Sequence, residues 1–194
     1  MTKVTDFIRI IAEDIDPKPF LAQIEAEDWL WVSKQFGKEP KGYGGKSNPP
    51  GFLPLTMGVA SEDDDALVKN SELQTNTEMY DKFTAVHEFW DKWGFTTHNR
   101  AAFFRLGVGN QVHKHIDDGK YYLTKDRYHL SLQGTYRYQV GNLQMVVEPG
   151  TFFWFNNKVP HAAWNIGEVE RVSLVFDAPH NPNNPQHHHC LNCD

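Results

Sequence analysis

Three side chains far apart in the chain could together grip a metal ion. His115-Ile116-Asp117 offers two of them. In an extended segment, residues i and i+2 face the same way, so an imidazole nitrogen and a carboxylate oxygen would converge on one point. The third is His161, in Val159-Pro160-His161, 46 residues further on. Two imidazoles and one carboxylate on one face of an ion leave its other positions open, an arrangement suited to non-haem Fe(II) and oxygen chemistry. An H-x-D pair by itself is common, and a hydrogen-bonded surface pair is its plain alternative. His113 could reach the same point by strand alternation, although a supporting or surface role is simpler.

The surroundings add weight. Arg171 follows His161 by ten residues, in Glu170-Arg171-Val172-Ser173. Strand alternation puts Arg171 and Ser173 on one face, where a guanidinium beside a hydroxyl makes a bidentate carboxylate clamp. An inward Arg without compensation is costly, so it should meet a ligand or an acid. The segment Arg127-Tyr128-His129 has the same texture: Arg127, His129, Ser131 and Gln133 form a polar stripe opposite Tyr128, Leu130 and Leu132. That polar face should line a cavity; a purely structural polar network is the competing reading.

These residues need strands to present them. RAAFFRLGV (100–108), DRYHLSLQGTYRYQV (126–140), NLQMVV (142–147), TFFWF (151–155), HAAWNI (161–166) and ERVSLVFDA (170–178) are short, β-branched or aromatic, and separated by Gly or Asn turns. That spacing predicts a β-sandwich or small barrel. Ahead of them, residues 3–14 suit a strand or a helix, 19–36 a helix and 78–93 a second helix capped by Gly94. Residues 37–55, with five Gly and four Pro, read as a loop, and 61–66 as an acidic surface patch. The helices should buttress one sheet. The loops 37–55 and 116–125 are candidates for a pocket rim.

Composition sets the outer limits. The 194 residues suit one domain with its own core. A formal net charge of −6 makes nucleic acid a poor partner. Mean hydropathy is −0.58, and no apolar run approaches the roughly eighteen residues of a membrane span. The start, MTKVTDFIRII, lacks the apolar stretch and cleavage site of a signal peptide. Both cysteines fall in the last five residues, so no disulfide framework is expected, and a cytoplasmic location is the default. Six Trp, seven Tyr, thirteen Phe and ten His describe an aromatic, histidine-rich β protein.

The segments VHKHIDD, DRYHLSL, EPGTFFWFNNKVPHAAWN and ERVSLVFD resemble the aspartyl/asparaginyl β-hydroxylase family of Fe(II)- and 2-oxoglutarate-dependent oxygenases, over roughly residues 100–178. The resemblance implies a mainly β chain with flanking helices around a double-stranded β-helix (jelly-roll or cupin-like) core at about 99–178. A helical buttress over 1–98 would complete one oxygenase domain, 1–178, followed by an irregular tail, 179–194. It implies His115, Asp117 and His161 as metal ligands, Arg127 and His129 at the 2-oxoglutarate C1 carboxylate, and Arg171 at C5. The family's animal members have Gly where Asp117 stands, so a full triad is expected here, favouring hydroxylation over halogenation. They also hold the cosubstrate with a Ser whose place falls near Phe104; Ser173 could substitute for it. With Fe(II), 2-oxoglutarate and O2, the implied activity is hydroxylation of an unactivated C–H, with Asp, Asn or another amino-acid side chain in a peptide or small molecule as substrate.

Tyr121, Tyr122, Trp154 and Trp164 are candidates for the substrate pocket, with core packing the plainer role for the two Trp. In the tail, His187, His188, His189, Cys190 and Cys193 could bind a soft metal, although they lack a second half-site. Two other functions compete. One is a cupin-type metalloenzyme without 2-oxoglutarate, disfavoured because Gly119 and Lys120 stand where its Glu belongs. The other is a non-enzymatic β-sandwich that binds a carboxylate or peptide.

Overall fold

Side-chain alternation in the longest strands divides the molecule into a dry side and a cavity side. The computed structural model describes residues 7–27, 51–60 and 67–184. Its elements run β1 (Ile8–Ala12), α1 (Lys18–Ala26), β2 (Phe52–Gly58), a short 3-10 turn (Val68–Asn70), β3 (Gln74–Asn76), α2 (Thr84–Lys92), β4 (Ala101–Leu106) and β5 (Gln111–His115). There follow α3 (Lys120–Leu123), β6 (Lys125–Gln133), β7 (Tyr136–Val140), β8 (Leu143–Val147), β9 (Phe152–Phe155), β10 (His161–Asn165) and β11 (Arg171–Pro179).

The strands form a seven-stranded sheet, ordered β1-β9-β6-β11-β4-β2-β3, and a four-stranded sheet, ordered β5-β10-β7-β8. All paired strands are antiparallel. From β4 onward the chain passes back and forth between the sheets, which is the winding of a double-stranded β-helix.

Two cores result. On the outer face of the large sheet, Tyr128, Leu130, Phe152, Trp154, Leu174 and Phe176 meet Phe20 and Ile24 of α1 and Val86, Phe89 and Trp90 of α2. The Phe89 ring stands edge-on to Phe152 at 5.0 Å, a geometry that aromatic quadrupoles favour. Between the sheets, Tyr136, Tyr138, Val140, Val147, Phe153 and Phe155 form a smaller core. The helices therefore buttress one face, as their apolar spacing predicts, and leave the other free for a cavity.

Several local expectations change. The run 126–140 is two strands, because Gly134 takes φ +76° and turns the chain. A Cβ there would stand 2.9 Å from the Glu170 carbonyl oxygen, so glycine also permits the close approach of the Arg171 segment. The supposed loop 37–55 ends in strand: Phe52–Leu55 belong to β2, with a register shift between Pro54 and Thr56. Proline is tolerated at such an irregularity, where a ladder hydrogen bond is missing anyway. Residues 116–125 contain the helical turn α3. The second helix starts at Thr84, not 78, and Gly94 follows its C-terminus at φ +76°. The early segment is strand at Ile8–Ala12, and the first helix covers Lys18–Ala26. Residues 28–50, the acidic run 61–66 and the tail's His187–His189, Cys190 and Cys193 lie outside the described residues. Among the described residues, no helix is long and apolar enough to cross a membrane.

Candidate metal centre

His115 ends β5 and His161 begins β10, and the two are paired in register across the small sheet. Register therefore does what sequence distance does not: it sets the rings 4.3 Å apart, centroid to centroid. Each Nδ1 bonds a backbone carbonyl two residues back, His115 that of His113 (2.7 Å) and His161 that of Val159 (3.0 Å). Those bonds fix the N–H at Nδ1 and leave both Nε2 atoms as acceptors, the usual way a ligating imidazole is oriented.

Asp117 completes the group. Its Oδ1 stands 3.7 Å from His115 Nε2 and 3.9 Å from His161 Nε2. One ligand atom from each residue lies within 4.8 Å of the others. Two atoms bound to one ion at about 2.1 Å stand at most about 4.2 Å apart, and both carboxylate–imidazole distances already meet that limit. The other oxygen, Oδ2, accepts from Arg127 Nη1 (2.8 Å) and Asn157 Nδ2 (3.1 Å). The Asp117 backbone N–H donates to the Asn157 carbonyl.

Electrostatics favour a neutral His161 and an ionised Asp117. Burial pushes His161 down to about 4. Burial would raise the Asp117 carboxyl, but Arg127, His161 and His115 together hold it below the usual carboxylate range. Burial, with Arg171 and Arg127 alongside, holds His129 far below an ordinary histidine.

The three ligands open into a cavity of about 80 Å³ between the sheets. A water needs about 10–15 Å³ by this measure, so the space has room for several waters or a small organic molecule. His129, Arg127 and Arg171 also line it, with Phe104, Leu106, Val112, Tyr138, Phe155 and Val175 as apolar and aromatic wall. Arg171 is 4% exposed, donates through Nε to Ser173 Oγ (2.9 Å) and rests on the Tyr136 ring at 4.3 Å. Among the described residues it pairs with no carboxylate. A buried cation without an acid is costly and poised for an anionic ligand. Among the described residues the buried Nδ1 atom of His129 likewise has no hydrogen-bond partner.

Tyr128, Leu130 and Leu132 with Val172, Leu174 and Phe176 lie in the outer core, and Arg127, His129 and Arg171 line the cavity, whereas Ser131 and Gln133, the rest of the expected polar stripe, do not. Ser173 is wholly buried beneath Arg171, and it pairs in register with Phe104, the position where the resemblance leads one to look for a Ser. Arg127 has a different set of partners from those expected. Besides Asp117, it donates from Nε and Nη2 to Asp177 Oδ1 (2.7 Å) and Oδ2 (2.9 Å).

The four substrate-pocket candidates lie outside the lining of this cavity. Trp154 points into the outer core, opposite the cavity, and donates Nε1 to buried Asp126 at 2.9 Å. Tyr121 is wholly buried under the Arg100 guanidinium, 3.7 Å above its ring, and accepts the Arg100 backbone N–H. Tyr122 stacks beside Arg127 at 4.9 Å without lining the cavity, and neither does Trp164 on β10. The missed residues are Asn157, Asp177 and Tyr138. Asp177 was available from alternation, since Arg171, Ser173, Val175 and Asp177 share one face of β11. Asn157 sits in a turn, where no periodicity marks it. His113 serves through its backbone carbonyl, and its side chain is exposed.

No protein with a curated description matches the chain. Among solved structures, an oxidoreductase of the 2OG-Fe(II) oxygenase family from Burkholderia pseudomallei is similar at 17% identity and TM-score 0.53, covering 86% of this chain and 82% of that one. A predicted oxalate decarboxylase from Thermotoga maritima overlaps 46% of this chain and 74% of its own at 13% identity and TM-score 0.37. An uncharacterized protein with a double-stranded beta-helix domain from Klebsiella pneumoniae overlaps 42% of this chain and 68% of its own at 17% identity and TM-score 0.36. The Burkholderia likeness agrees in fold with the sheet order found here. The sequence itself matches the Aspartyl/Asparaginyl beta-hydroxylase family over residues 64–181, the stretch that holds all three candidate ligands, Arg127, His129 and Arg171. With that match spanning more than half its length, the chain belongs to the aspartyl/asparaginyl β-hydroxylase family.

Proposed function

We propose that this protein is an Fe(II)- and 2-oxoglutarate-dependent dioxygenase that hydroxylates an unactivated C–H, on an Asp, Asn or other amino-acid side chain of a peptide or small molecule. The observation that carries the reading is a single cavity holding both His115, Asp117 and His161 and an arginine, Arg171, with no acid partner among the described residues. Imidazole and carboxylate donors with open positions suit Fe(II). A dianion such as 2-oxoglutarate fits the buried guanidinium, which has no acid partner among the described residues, and the buried His129 nitrogen, which has no hydrogen-bond partner among them.

Fe(II) held there, with 2-oxoglutarate and O2, supplies the oxidising power for hydroxylation and leaves succinate and CO2. This chain's own share is positioning. His115 and His161 would present Nε2, each ring held by a carbonyl at Nδ1. Asp117 would present Oδ1, because Oδ2 is occupied by Arg127 and Asn157. Arg171, steadied by Ser173 and Tyr136, would bind the distal carboxylate as a bidentate pair. His129, which burial holds neutral, lines the same cavity and has a buried Nδ1 left without a partner among the described residues. Val112, Phe155 and Leu106 supply the apolar wall of the same cavity.

The test is succinate release by NMR from the Fe(II)-loaded protein with 2-oxoglutarate and O2, alongside mass spectrometry of Asp- and Asn-containing peptides and free amino acids for one added oxygen atom. Release by the wild type, and none by His161→Ala, is the expected result. An iron-loaded wild type that neither binds 2-oxoglutarate nor releases succinate removes the proposal.

A further inference from the structure

We infer that Asp177 and Arg127 are a positioning pair whose work is to hold the metal-facing carboxylate of Asp117, and that Arg127 does this instead of contacting the cosubstrate. The inference rests on the reading of His115, Asp117 and His161 as metal ligands.

Asp117 lies beyond the end of β5, in a segment without regular secondary structure. Its side chain needs an external restraint to keep one oxygen on an ion. That restraint is Arg127 Nη1 on Oδ2 at 2.8 Å, assisted by Asn157 Nδ2 at 3.1 Å. Arg127 is itself held by a fork: Nε and Nη2 meet the two oxygens of Asp177, which is wholly buried. The fork is backed by the sheet, because Asp177 and Arg127 are direct register partners across β11 and β6. The Tyr122 ring, 4.9 Å away, covers the guanidinium. All three nitrogens of Arg127 are thus engaged with carboxylates. Its positive charge lies between two acids, whereas Arg171 in the same cavity has none among the described residues. Nη1 and Nη2 each keep a second N–H, but the charge behind them is already balanced by two acids, so an incoming carboxylate gains less there than at Arg171. An anion entering the cavity is instead directed to Arg171.

The experiment titrates metal-free protein with Mn(II), following free Mn(II) by electron paramagnetic resonance. Asp177→Asn and Arg127→Lys are made in the wild type and again in an Asp117→Gly background. Thermal melts establish folding; should the Asn variant not fold, Arg127→Lys, which keeps the charge but not the fork, carries the comparison. In the wild-type background each substitution should weaken Mn(II) binding about 10–100-fold, the usual cost of losing a partner that orients a ligand. In the Asp117→Gly background the same substitutions should leave the residual Mn(II) affinity unchanged, because the carboxylate they orient is gone. The affinity of Mn(II)-saturated protein for 2-oxoglutarate should hold in the wild-type background. Equal Mn(II) losses in both backgrounds would mean a general structural role and overturn the inference. Unchanged Mn(II) affinity with weakened 2-oxoglutarate binding would overturn it in favour of a cosubstrate contact. A wild type that binds no Mn(II) would instead remove the metal-site reading, and the inference with it.

Discussion

Replacing Arg171 by Met should make the ligand-free protein more stable while destroying its response to 2-oxoglutarate. The guanidinium is 4% exposed and has no acid partner among the described residues, so its desolvation costs several kcal/mol, about 5 for a group held this dry. Two contacts offset that cost. The hydrogen bond to Ser173 contributes about 2 kcal/mol, and the Tyr136 ring 4.3 Å away about 1–2 kcal/mol. Met fills similar space without a charge, so the balance favours the variant by about 1–2 kcal/mol. For a chain of this length that raises Tm by about 2–8 °C. Ligand binding moves the other way. Losing two charge-assisted hydrogen bonds to a carboxylate, about 1.5–3 kcal/mol each, should weaken 2-oxoglutarate binding by about 10²–10⁴-fold. The assay is a thermal melt of Mn(II)-loaded protein with and without 2-oxoglutarate. At a concentration about a hundred times Kd the wild type gains about 2.7 kcal/mol, or about 5–11 °C, and the variant gains essentially nothing. A variant that melts lower than the wild type and keeps its full response to 2-oxoglutarate would refute the reasoning, making Arg171 a structural cation.

Two further outcomes separate the core from the site. Trp154→Phe removes one donor from the buried Asp126 carboxylate and should cost about 1–3 kcal/mol in a urea titration, with succinate release per folded molecule unchanged; a tenfold fall in turnover with intact folding would put Trp154 at the pocket after all. The metal-free protein should lose stability as pH falls from about 6.5 towards 4: burial keeps folded His161 at about 4, so the unfolded chain takes up its proton first and each pH unit in that window costs up to about 1.4 kcal/mol. A urea midpoint that stays flat between pH 7.5 and about 5 would contradict a buried, neutral His161.

Much of the site was legible in the chain because strand periodicity is local. Alternation alone put Arg171 with Ser173 and Arg127 with His129, and the same rule, taken four residues further, would have produced Asp177. It fails at turns. Gly134 divides what reads as one long strand, and Asn157 reaches Asp117 from a turn whose direction no period encodes. Aromatic residues were the weakest guide, since neighbours in β9 face opposite ways: Phe155 lines the cavity while Trp154 is packed against Asp126 in the core. Composition and motif cannot tell these two apart without knowing which face is which.

The sequence by itself determined the inventory of the site: two histidines, an acid, two arginines and the strands to carry them. Each is set by residue type and by spacing along a single segment. Only the tertiary structure decided how the charges are shared. Sheet register places Asp177 across from Arg127 and leaves Arg171 beside a hydroxyl and a ring. Which arginine is neutralised depends on residues about fifty positions apart meeting across a sheet, and a buried charge is governed by its neighbours in space, not by those in the chain.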